Sequence, residues 1–140
     1  MTSVLFISDF TIEVKEVISI IQKFKNQGIK TEMTSPKHFH LDVLFDHQFG
    51  YPTVRNFKQQ MATSKQVYII FPYWNKPLLW GMNALFGFLT KDELEGKCIV
   101  PIVITETKSN QNEAYKNFSS VFKDYMSEIC PNWVFIQHTL

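Results

Sequence analysis

The sequence holds little that would staple, anchor or charge the chain in one sense. Among 140 residues there are two cysteines, Cys98 and Cys130. They fall in different predicted elements without metal-ligand spacing, so both read as free thiols of a reducing cytoplasm. No apolar run approaches the roughly 18 residues of a membrane span. The first residues run straight into Ser3-Val4-Leu5-Phe6-Ile7 with no basic lead, so no signal peptide is expected. The 14 basic and 13 acidic residues nearly cancel, at net +1. No basic stripe is present, which argues against a nucleic-acid partner. Internal repeats and low-complexity segments are absent.

What is there is a folded core. Hydrophobic residues make up 45% of the chain, too many for disorder. A chain of this length fits one domain, residues 1–140, able to bury roughly 68% of its unfolded surface. Aromatics reach 15%, 13 of them Phe. Some of those rings belong to the core, and others are candidates for stacking on a flat ligand or a partner.

Residues 3–8 form a nearly continuous apolar run, as in a strand buried on both faces. Residues 11–27 take a helical period, with Val14, Val17, Ile18, Ile21 and Phe24 on one face. Thr11 suits the N-cap and Gly28 the C-terminal stop. A short strand is predicted over 29–34, a long loop over 35–52 and a helix over 53–64. A third strand follows at 66–71 and ends at Pro72. Helical spacing returns over 78–89, then a fourth strand over 97–104, where Pro101 predicts a bulge or one unpaired position. The longest helix is predicted over 111–129 and a fifth strand over 133–137.

Strict alternation of strand and helix argues for a parallel sheet with helices on both faces. Five strands suit the order 2-1-3-4-5 of the α/β flavodoxin-like three-layer sandwich. There the ligand lies past the strand ends, where the winding reverses between strands 1 and 3. The loops at 8–12, 72–77 and 105–110 then carry the chemistry. In Pro72-Tyr73-Trp74-Asn75-Lys76-Pro77, two large aromatics stand between two prolines directly after a buried strand. Such a loop holds rings and amides in place for a flat conjugated ligand. It equally suits an aromatic turn packed on a neighbour or a second subunit.

The run from Val67 to Glu106 resembles the flavodoxin-like NAD(P)H-dependent FMN and quinone reductases. The likeness rests on Phe71-Pro72-Tyr73-Trp74-Asn75-Lys76-Pro77, then Leu78-Leu79-Trp80-Gly81, Phe86-Gly87-Phe88 and Leu94-Glu95-Gly96-Lys97. It covers about a third of the chain closely. The resemblance implies an oxidoreductase and a flavoprotein. FMN, with FAD or no flavin as alternatives, would rest its ring on Pro72, Tyr73, Trp74 and Asn75. Ser8, Phe10 and Thr11 would hold its phosphate, with Thr105 and Thr107 at its edge. Hydride would come from NADH or NADPH and pass to a quinone, azo compound, nitro compound or free flavin. No acid–base residue is required, because the cofactor carries the chemistry. The family commonly dimerises, and Trp80, Phe86 and Phe88 are spare aromatics for such a contact.

The first loop departs from the family pattern. Ser8-Asp9-Phe10-Thr11-Ile12 is short and has no Gly, Arg or second Ser. Ser8, Thr11 and free amides remain able to accept a phosphate, whereas Asp9 opposes one unless it turns away. A plain capped helix start fits this loop as well. Thr105-Glu106-Thr107-Lys108-Ser109-Asn110 reads first as a solvated loop capping the next helix. His38, His40 and His47, with Asp42 and Asp46 nearby, read as a polar loop before a metal site. Cys98, at the start of a strand, reads as inert packing rather than a nucleophile. Two alternatives to the reductase stand beside it. One is a non-enzymatic protein of the same fold with a degenerate flavin site, acting as a partner or regulatory subunit. The other is an electron-transfer flavodoxin, which a net charge of +1 disfavours because such carriers are strongly acidic.

Overall fold

The computed structural model describes residues 3–10 and 13–138. The strands are β1 (Ser3–Ile7), β2 (Lys30–Thr34), β3 (Ser64–Pro72), β4 (Cys98–Thr105) and β5 (Val134–Gln137). They pair in parallel in the order β2-β1-β3-β4-β5. The helices are α1 (Lys15–Asn26), α2 (Leu41–Phe45), α3 (Pro52–Thr63), α4 (Lys76–Phe86), α5 (Lys91–Leu94) and α6 (Asn110–Val121). This is the α/β flavodoxin-like architecture that the alternation predicts.

The two sheet faces are covered unequally. Side chains alternate across a strand, so Leu5, Ile7, Val67, Ile69, Phe71 and Val103 face one side. There they meet α2, α3, α4 and α6 in the larger core. Val4, Phe6, Ile70, Ile102, Ile104 and Ile136 face the other, where α1 lays Val17, Ile20, Ile21 and Phe24 against them. Ile18, expected on that apolar face, is 53% exposed, and Ile20 takes its place.

Four expectations need correction. The predicted loop over 35–52 contains a 3-10 turn, Pro36–His38, and helix α2. A five-residue helix is too short to show a period. The helix predicted over 111–129 ends at Val121, and a 3-10 stretch, Lys123–Glu128, follows. Spacing of three residues survives in a 3-10 helix, so Phe122 and Tyr125 still meet Phe86, at 5.5 and 5.6 Å. Helix α1 begins at Lys15 with Val14 at the N-cap, and Thr11 lies outside the described residues. Phe86 and Phe88 are buried in the core, so of the three aromatics assigned to a subunit contact only Trp80 is exposed.

Pro101 is accommodated without a bulge against β3, where it stands opposite Ile69 in continuous register. The carbonyl of Ile104 accepts from Tyr73 on the β3 side, while those of Ile99 and Thr105 accept from Cys130 and His138 on the β5 side. By this alternation the missing N–H of Pro101 points toward β5. The β4–β5 ladder begins only opposite Ile102, so no pairing is lost.

Candidate functional site

The order of the strands makes the site. β1 is followed in sequence by β2 on one side and flanked by β3 on the other. The loops leaving β1 and β3 therefore diverge, and a crevice opens between them. Beside it lies a cavity of about 400 Å³, walled by Asp9, Asn75, Pro77, Leu78 and Gly81 on one flank. Pro36, Lys37, Phe39, Leu41, Leu44 and Phe45 make the other. Volume and apolar lining are those of a small-molecule site.

Each loop is held by local chemistry. The Ser8 amide donates to the Thr34 carbonyl at 3.2 Å, tying the ends of β1 and β2. The buried Ser8 hydroxyl accepts from the Phe10 amide at 3.3 Å. That turn puts Phe10 at φ 56°, a left-handed conformation uncommon for a bulky residue. The Phe10 ring packs with the α1 face of the sheet. After β3, the Tyr73 amide donates to the Ile104 carbonyl at 3.0 Å and the Asn75 amide to the Pro72 carbonyl at 3.0 Å. Asn75 then caps α4, its Oδ1 accepting from the Leu78 amide at 3.1 Å. Its Nδ2 donates to Asp9 Oδ2 at 3.4 Å, joining the two loops across the crevice. Pro77, in the first turn of α4, gives up no helical hydrogen bond. Tyr73 and Trp74 meet edge to face at 5.2 Å. Trp74 is 38% exposed and presents a free ring surface. Among the described residues its amide has no hydrogen-bond partner.

The structure brings Ser8, Pro72, Tyr73, Trp74 and Asn75 to the carboxyl ends of neighbouring strands. Thr105 is buried at the end of β4, where its carbonyl accepts from the His138 amide at 2.7 Å. Thr107 is engaged with the start of α6, its amide donating to Asn110 Oδ1 at 2.9 Å. Of the predicted site residues that are described, Asn75 lines the cavity, whereas Ser8, Phe10, Pro72, Tyr73, Trp74, Thr105 and Thr107 do not. Pro36, Phe39, Leu41, Leu44 and Phe45 were missed as walls because 35–52 read as a loop. Five residues show no helical period, so the sequence carried no signal for them. His47 serves the fold: its Nε2 lies 3.0 Å from the Ala84 carbonyl and its ring meets Phe88 edge to face at 5.0 Å.

The residues fit one half of a flavin nucleotide. A flat ring finds apolar walls in the cavity and, on the adjoining loop outside its lining, fixed amides and the Trp74 and Tyr73 rings. The phosphate finds less. Nothing among residues 8–10 and 13–14 is cationic or glycine, α1 has no side-chain cap, and Asp9 adds a carboxylate at the same crevice.

At the opposite end of β4, a second cavity of about 510 Å³ is lined by Lys91, Asp92, Lys97, Glu128 and Cys130, among others. Lys97 is committed there, donating to the carbonyls of Met61 in the last turn of α3 and of Ser64 at the start of β3. Burial draws its pKa below the usual 10.5.

No protein-family model matches the chain, and no curated protein matches it. Solved structures do. An NADH:FMN oxidoreductase in its apo form superposes with TM-score 0.75 at 9% identity, over 98% of this chain and 76% of that one. An azoreductase from Bacillus anthracis str. Sterne matches with TM-score 0.60 at 13% identity, over 96% and 85%. An NAD(P)H:quinone oxidoreductase from Methanothermobacter marburgensis gives TM-score 0.60 at 12% identity, over 96% and 82%. At such identities the likeness shows the fold. No helix among the described residues is long and apolar enough to cross a membrane.

Proposed function

We propose that this chain is a flavin-dependent NAD(P)H oxidoreductase passing electrons to a small acceptor: a quinone, an azo or nitro compound, or a free flavin. The observation that carries the reading is the crevice at the β1/β3 winding reversal. It pairs the rigid Pro72–Asn75 loop with an apolar cavity of about 400 Å³. The neighbours of the same fold, named as NADH:FMN, azo and quinone reductases, support it. A flavin would supply hydride acceptance and onward electron transfer. The chain's own residues would position it. Tyr73 and Trp74 offer ring surface, the Trp74 amide a donor to the polar edge, and Phe39, Leu44 and Phe45 a wall that excludes water. Ser8 and, beyond the described residues, Thr11 would meet the ribityl end; Phe10 shapes that turn. Thr105 and Thr107 remain proposed at the far edge.

We place the protein in the cytoplasm and expect a homodimer. Leu41 and Phe45 line the crevice and are 72% and 49% exposed, and Trp80 on α4 is 51% exposed. A partner covering them would close the site. A visible spectrum of the purified protein, repeated with added flavin, tests the reading. Yellow protein that oxidises NADH or NADPH in the presence of a quinone supports it. Colourless protein with no thermal shift from any flavin overturns it. In that event the second reading, a non-enzymatic partner subunit, is favoured by Asp9 in the crevice.

A further inference from the structure

We propose that Cys98 and Cys130 form a reversible redox staple: oxidised by a small disulfide, they close to a bond that clamps the segment leading into β5 onto the amino end of β4. Cys98 is the first residue of β4. Cys130 stands between the 3-10 stretch Lys123–Glu128 and β5. The backbone brings the two together. Ile99 and Ile129 form an isolated parallel bridge, and the Cys130 amide donates to the Ile99 carbonyl at 2.8 Å. The β4–β5 ladder begins only at Ile102 and Val134, so this bridge is what holds the segment to the sheet at that end. Ile99 and Ile129 both point into the larger core. Side chains alternate along extended backbone, so Cys98 and Cys130, each next to a bridged isoleucine, leave on the other side. There the two thiols interact, and both act on the Tyr68 hydroxyl of β3, which belongs to that same face. Both cysteines are half-buried and unbridged. Cys130 also lines the cavity of about 510 Å³, which gives a reagent its way in.

The exchange balances without further reactants. Cys130, deprotonated, attacks one sulfur of the small disulfide; that S–S bond breaks, and the thiolate that leaves takes up the proton. Cys98 then gives up its proton and attacks the Cys130 sulfur of the mixed disulfide, expelling the second small thiol. The protein thiols lose two electrons and two protons, and the small disulfide gains them.

Equilibration of the full chain with oxidised and reduced glutathione in varied ratio, at pH about 8 where thiolates are populated, tests the staple. Intact mass should fall by two hydrogens as the oxidised form rises, and peptide mapping should place the bond between Cys98 and Cys130. Urea denaturation should show the oxidised chain more stable, its folded-to-unfolded ratio raised about a hundredfold, because the bond restricts the unfolded chain over residues 99–129. Dithiothreitol should restore the reduced midpoint. Cys98→Ser and Cys130→Ser should each lose the dependence on redox state; if either fails to fold, the reversible midpoint shift of the wild-type chain decides alone. Thiols that both remain open to alkylation overturn the inference. So do a glutathione adduct on Cys130 that never resolves, a bond between two chains, or an internal bond that lowers the urea midpoint.

Discussion

Asn75 and Asp9 meet across the crevice, Nδ2 to Oδ2 at 3.4 Å, although 66 residues separate them. The contact joins the two loops on which the site depends. Asn75 uses its other side-chain atom to cap α4, so one residue fixes both the helix start and the gap between loops. Replacing it with alanine should cost about 1 kcal/mol, the usual worth of such a cap. It should also weaken flavin binding by freeing the Asp9 loop. Asn75→Ser should keep the cap and recover most of the stability but not the loop contact. Urea denaturation with parallel flavin titrations checks both halves.

Gly81 stands where α4 passes the Pro36 turn. A β-carbon there would lie 2.8 Å from Pro36 Cβ, closer than real contacts allow. Both residues line the cavity. Gly81→Ala gains helix propensity of about 1 kcal/mol, but overpacking against a rigid proline costs about 1–3 kcal/mol. We therefore expect a net loss of stability and a wall pushed outward. A lower urea midpoint with an unchanged slope, together with weaker flavin binding, is the predicted result. A more stable variant would mean that the turn moves freely.

The Glu93 carboxyl should shape the acid limb of the stability curve. Burial pushes its pKa up. Hydrogen bonds from Thr90 and the Lys58 ammonium at 3.0 Å outweigh that and hold it below the usual 4.5. Lys58 also donates to the Phe88 carbonyl at 2.8 Å. A lowered folded-state pKa gives stability that is full above the ordinary carboxylate range. It is lost as pH falls through the lowered value. Glu32 acts in the same direction, through the Lys30 side chain first and Gln60 second. Glu93→Gln should lower stability near neutrality and flatten the decline below pH about 4.5. Urea midpoints measured across that range decide it.

Cys98 should be a slow thiol. The Cys130 thiol against it, followed by burial, pushes its pKa up to about 11 from the usual 9.0. The thiolate is the reactive form, so alkylation at neutral pH should be slow and should rise steeply only in alkali. Cys130→Ala should bring the midpoint of that rise down. Mass-spectrometric labelling rates against pH in both forms give the answer. An unchanged profile would place the cause in burial alone.

The five strands and their parallel order were legible in the sequence. Runs such as Val67-Tyr68-Ile69-Ile70-Phe71 admit little but a buried strand, and alternation with helical periods leaves few topologies. The Pro72–Pro77 loop was legible for the same reason, since a proline-bounded aromatic turn after such a strand must sit at a sheet end. Helix α2 was not legible, because five residues cannot show a period. The end of α6 was not either, because Phe122 and Tyr125 satisfy 3-10 as well as α spacing. The sequence determined that Asp9 and Asn75 each begin or precede a helix after a strand. Only the tertiary structure decided that they touch. Contact between residues 66 apart depends on which strands become neighbours, and β1 lies beside β3 because the winding reverses there.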